Sequence, residues 1–61
     1  MEKLKVLRIN AGLSQRELAT RAGLTPGAVW QVENRSSGSP ATLKKLADVL
    51  GVKPVDLLRQ G

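Results

Sequence analysis

At 61 residues with no Cys and no His, the chain is one small domain that cannot form a disulfide and lacks the ligands of a structural zinc site. A chain this short buries only about 60% of its unfolded surface, so stability has to come from economical helix packing, with oligomerisation as a further source. The net charge of +5, from 10 Lys and Arg against 5 Asp and Glu, suits a polyanionic partner, but it is spread along the chain with no polybasic block of the kind that docks on membranes.

No apolar run approaches the ~18 residues of a membrane span. The opening "MEKLKVLRIN" lacks the apolar core of a signal peptide. With no Cys in use, a cytoplasmic protein is expected. Catalytic equipment is thin: there is no His, Cys or Tyr, and no nucleophile–base pair can be assembled from the spacing. The expectation is a non-enzyme with no cofactor, metal or small-molecule ligand.

The punctuation predicts five short helices in one domain over 1–61, an all-α fold. The first covers Glu2 to Ala11, with Leu4, Leu7 and Ala11 at helical spacing and Arg8 on the same side. Gly12 is placed to end it in the left-handed conformation, with Leu13 as the apolar partner that follows. The second opens with "SQRE", a capping box in which Ser14 and Glu17 satisfy each other's backbone N–H. Leu18, Ala19 and Ala22 form its buried side, and Gly23 stops it. The third opens at Thr25 as N-cap with Pro26 at N1, and ends near Asn34. The fourth repeats the device with Ser39 and Pro40, and carries the stripe Leu43, Leu46, Ala47 and Leu50 up to Gly51. The fifth is brief, with Pro54 near its first turn and Val55, Leu57 and Leu58 after it. No segment shows the alternation of a strand.

The second and third helices are joined only by "GLT", which forces them to cross steeply and pack closely. Ala19 supplies the small residue the close approach needs. Gly23 supplies the positive φ of the turn. Val29 and Val32 supply branched apolar residues on the inward face of the third helix. This spacing points to a helix-turn-helix rather than an ordinary α-hairpin.

The run "LKVLRINAGLSQRELATRAGLT", followed by "VE" and "LKKLADVLGVKPVDLL", resembles the Cro/cI-type helix-turn-helix family, the lambda-repressor-like regulators also called Xre-type. The match covers nearly the whole chain, and its most specific parts are "GLSQRELATRAG" and "LADVLGV". The resemblance implies a compact five-helix domain that binds operator DNA, usually as a dimer, with the third helix in the major groove. It also implies an ion pair between Arg8 and Glu33. Spacing supports the pair, because Glu33 lies near the buried side defined by Val29 and Val32 and so needs a partner.

At ~100° per residue, the face of the third helix opposite Val29, Val32 and Glu33 centres on Gly27, Gln31 and Asn34. Gln31 is the leading base-reading candidate, since its carboxamide matches the N6 and N7 edge of adenine. Gly27 and Ala28, with Thr25 at the helix start, offer close approach and apolar contact. Trp30, the only aromatic residue, has two placements open to it: packing over the edge of the first two helices, or lying against sugar and base edges in the groove. Gln15, at N1 of the second helix, is expected against a phosphate by the resemblance and by the positive helix end. Arg16, Asn34, Arg35 and Lys44 are further backbone candidates, with Arg21 and Lys45 behind them. Two departures from the family stand out: Arg35 where Gly is common, and a weakly basic loop "SSGSPA". Phosphate contacts are therefore expected to be few.

Pro54 and Leu57 are the expected dimer contacts, with Leu58 in the core. The function expected is that of a sequence-specific double-stranded DNA-binding regulator, a repressor acting as a homodimer on a near-palindromic operator. The alternative is a protein-interaction module of antitoxin or co-regulator type in which DNA binding is secondary.

Overall fold

The computed structural model of the chain describes residues 1–58. Five α-helices follow one another: α1 (Glu2–Asn10), α2 (Gln15–Ala22), α3 (Pro26–Arg35), α4 (Pro40–Leu50) and α5 (Pro54–Leu58). There is no strand among the described residues, and no helix is long and apolar enough to cross a membrane. The domain expected over 1–61 extends three residues beyond those described.

Local chemistry sets most of the boundaries. Ser14 accepts from the Glu17 N–H at 3.0 Å, and the Glu17 carboxylate accepts from the Ser14 N–H at 2.9 Å. Thr25 and Ser39 cap α3 and α4 by accepting from the N–H of Ala28 and Thr42, each at 3.2 Å, and each is followed by a proline. The proline at N1 has the φ of the helix and lacks an N–H that would have no partner there. Gly23 closes α2 at φ 71°, which lets the Leu24 N–H reach back to the Ala19 carbonyl at 2.8 Å. That bond makes the tight turn into α3, and Leu24 packs against the core beside it. The same arrangement ends α4, where the Val52 N–H reaches the Ala47 carbonyl.

Helix α1 stops one residue short of expectation, at Asn10. Ala11 is its C-cap and is exposed, because the chain turns away there and leaves the helical stripe of Leu4 and Leu7. Helix α3 runs one residue further, to Arg35, and ends on Ser36 in the left-handed region at φ 50°.

Helix α2 packs against α3 and α4, α4 against α5, and α1 against α3 and α5. The core between them is Leu4, Leu13, Leu18, Ala19, Val29, Val32, Leu43, Leu46, Ala47 and Leu57. Each buried Leu or Val contributes about 1.5–3 kcal/mol relative to an exposed one. Ala19, the small residue required where α2 meets α3, is fully buried.

Helix α5 departs from expectation. Leu57, expected as a dimer contact, is only 1% exposed and belongs to the core, whereas Leu58, expected in the core, is 60% exposed. The reason is register. Val55 and Leu58 stand three residues apart and share one face of the helix, while Leu57 lies ~100° around it. The structure turns Leu57 inward and leaves Val55, 52% exposed, on the outer face with Leu58.

Candidate nucleic-acid interface

Helix α3 is fastened along one side and open along the other. Val29 and Val32 are buried, and Glu33 is the one buried charged residue among those described. Arg8 of α1 donates to it twice, Nε to Oε2 at 2.6 Å and Nη2 to Oε1 at 3.3 Å. The third guanidinium nitrogen, Nη1, donates to the Leu13 carbonyl at 2.8 Å. Gln15, at the first position of α2, donates its Nε2 to Glu33 Oε1 at 3.2 Å. The Arg8–Glu33 pair thus ties together α1, the α1–α2 turn, α2 and α3, and the arrangement leaves no buried side-chain polar atom without a partner among the described residues. That satisfaction is what makes a buried ion pair tolerable.

A second clamp acts at the same C-terminal end of α3, on its backbone. The Met1 ammonium donates to the Val32 carbonyl at 3.1 Å and also to the Glu33 carbonyl. A positive charge at a helix C-terminus meets the negative end of the macrodipole and satisfies carbonyls that have no partner within the helix. With its C-terminal end and one face held, α3 presents its other side outward.

On that side Gly27, Gln31 and Asn34 are all exposed, as are Thr25 and Pro26, with Ala28 half-buried. The Gln31 carboxamide makes no hydrogen bond among the described residues, so its donors and acceptor are open to a partner. Thr25 uses its hydroxyl oxygen as the helix cap. Asn34 folds back on its own helix, Nδ2 donating to the Trp30 carbonyl at 2.9 Å, so one of its donors is already engaged. Trp30 is 45% exposed and does not extend the core; the Arg35 guanidinium lies over its ring, 5.7 Å from the centroid.

The residues considered for backbone contacts divide into two kinds. Arg16, Arg35 and Lys44 are exposed, as are Arg21 and Lys45. Gln15 is half-buried and engaged with Glu33, which fixes its carboxamide at the start of α2. The Gln15–Glu33 bond, the Met1 clamp and the Trp30–Arg35 stack escape sequence reasoning because each depends on how separate segments meet. A sole Trp and an Arg five residues apart near a helix end is the one faint signal among them. Pro54 is exposed on α5, beside the outward-facing Val55.

Comparison with known proteins matches residues 2–60 to the helix-turn-helix domain family. The chain is also 38% identical over 53 residues to the HTH-type transcriptional repressor RghR of Bacillus subtilis (strain 168), a stretch covering 84% of this chain and 39% of that protein. The chain therefore spans well under half the length of this curated relative. With α2 and α3 joined by a three-residue turn, and the match running along nearly the whole chain, the protein belongs to the helix-turn-helix domain family.

Proposed function

We propose that the domain is a sequence-specific double-stranded DNA-binding transcriptional regulator, acting as a repressor on a near-palindromic operator. The observation that carries this is the two-sided character of α3. One face is anchored by Val29, Val32 and the Arg8–Glu33 pair, and the opposite face holds an unengaged Gln31 among small residues that permit close approach. An α-helix held this way fits the major groove, where a Gln carboxamide can bond the N6 and N7 edge of adenine. The net charge of +5 supplies attraction to phosphates. The likeness to a transcriptional repressor supports the regulatory role.

The domain acts as a homodimer in the cytoplasm. Val55 and Leu58 give α5 an outward apolar face, and with Pro54 beside them they are the contacts for a second copy. A two-fold dimer sets its recognition helices about 34 Å apart, one turn of DNA, which is why the operator is near-palindromic. With one hydrogen-bonding reader per helix, direct readout covers few bases, and backbone contacts and DNA shape carry the remainder.

Selection of bound duplexes from a random pool tests this reading. Enrichment of a near-palindrome, with discrimination relaxed at one position per half-site in Gln31→Ala, is expected. A pool that stays unenriched while a protein partner binds would favour a protein-interaction module instead.

A further inference from the structure

On the DNA-binding role proposed above, we infer that Trp30 is a positioning residue for a backbone contact and not a base reader: its indole face holds the Arg35 guanidinium at the end of α3, ready to grip one phosphate. The Arg35 guanidinium carbon lies 5.7 Å from the centroid of the Trp30 ring, within the ~6 Å reach of a cation–π contact. A cation–π contact engages the guanidinium through its charge and consumes no N–H donor, so the N–H fork that makes paired bonds to phosphate oxygens stays available. Arg35 is exposed, and the only salt bridge among the described residues is Arg8–Glu33, so the charge of Arg35 is not spent on a carboxylate.

Position on the helix favours the backbone over the bases. If Gln31 points at the floor of the groove, Trp30 stands ~100° to one side of it, facing a groove wall, where the phosphates run. Asn34, the other polar residue near this flank, has turned its Nδ2 to the Trp30 carbonyl. An unsupported Arg side chain loses much rotamer freedom when it is ordered on a ligand; one already stacked loses less. Trp30 thus acts through Arg35, by holding it in place before DNA arrives.

The test is a salt titration of binding to two duplexes, one recovered from the random pool and one of shuffled sequence. The proteins compared are the wild type, Trp30→Leu, Trp30→Phe, Arg35→Ala and the Trp30→Leu/Arg35→Ala double variant. Leu preserves apolar packing for the half-covered side chain but has no ring face, and Phe preserves the face. Arg35→Ala is expected to lower the slope of log K against log salt by roughly 0.9, the value of one phosphate. Trp30→Leu is expected to weaken binding at each salt concentration by part or all of the Arg35→Ala loss, the double variant no further than Arg35→Ala, and Trp30→Phe little. The Trp30→Leu loss should be equal on both duplexes. A wild-type affinity in Trp30→Leu would overturn the proposal, as would a Trp30→Leu loss that persists undiminished on top of Arg35→Ala or one confined to the selected duplex. Absence of duplex binding by the wild type would instead overturn the DNA-binding role itself.

Discussion

Arg8 and Glu33 meet at 2.6 Å across the interface of α1 and α3, with side chains only 12% and 2% exposed, and Gln15 of α2 donates to the same carboxylate. Helix α3 is therefore aligned by an ionic contact as well as by apolar packing. Three side-chain N–H groups converge on Glu33, which has to stay an acceptor at both oxygens.

Glu33→Gln is nearly isosteric yet should be strongly destabilising. It leaves the Arg8 charge uncompensated, and one of its own N–H groups faces a donor, either Arg8 or Gln15. Breaking a buried pair from one side costs about 3–5 kcal/mol. In a domain of this size each kcal/mol lowers Tm by roughly 4–8 °C. Thermal unfolding followed by circular dichroism should show a fall of more than about 10 °C; an unchanged Tm would mean that the pair contributes nothing to the fold.

Leu57→Ala and Leu58→Ala should separate cleanly, although the residues are neighbours. Leu57 is buried, and its truncation should cost about 2–5 kcal/mol in a urea titration. Leu58 is largely exposed, and its truncation should change monomer stability by less than about 0.5 kcal/mol. Sedimentation of Leu58→Ala should show weakened self-association. A large loss of monomer stability from Leu58→Ala would place it in the core.

This pair of leucines also marks where sequence reasoning stops. The caps at Ser14, Thr25 and Ser39, the glycine turn at Gly23 and the inward face of Val29 and Val32 were legible because each is encoded within one or two helical turns. Helix α5 has five residues, too few for periodicity to say which apolar side chain faces in. Only its packing against α4 and α1 decides that. Glu33 announced its need for a partner by standing on an apolar face, and the family resemblance named Arg8 as that partner. Gln15 gave no such notice: its bond to Glu33 depends on the crossing of α2 and α3, and a polar residue at N1 of a helix looks the same whether it faces solvent or a carboxylate.

The capping box of α2 should make part of the stability depend on pH. Glu17 is held below the ordinary carboxylate value of 4.5, chiefly because it accepts from the Ser14 backbone N–H, with the Ser14 side chain adding to the effect, desolvation opposing it and the Arg21 charge contributing least. A carboxylate whose folded value is depressed favours the fold fully above its unfolded value. That contribution falls away as pH drops from 4.5 through the lowered folded value. Urea midpoints measured across this window should fall less steeply in Glu17→Gln, which has no charge to lose, than in the wild type. Parallel curves would show that the ionised box contributes no pH-dependent stability.

The loop that follows α3 contains two positions whose substitutions should act in opposite directions. Ser36 takes φ 50° at the end of the helix, where a side chain is disfavoured and glycine is not. Ser36→Gly relieves that strain at some cost in unfolded-chain entropy, and a net gain of about 0.5–1 kcal/mol is expected. Two residues on, Gly38 has no positive φ to excuse it; it is small because an added Cβ would stand 3.0 Å from Val32 Cγ2 and 3.6 Å from Leu43 Cδ2. Gly38→Ala should therefore shift Val32 by a few tenths of an ångström and cost about 1 kcal/mol, the low end of overpacking a core. Thermal melts of the two variants should move to either side of the wild type. Since Val32 also sets the inward face of α3, Gly38→Ala should weaken duplex binding even at temperatures where it stays folded, whereas Ser36→Gly should not. Equal binding by both variants would show that the α3–α4 loop does not govern how α3 is seated.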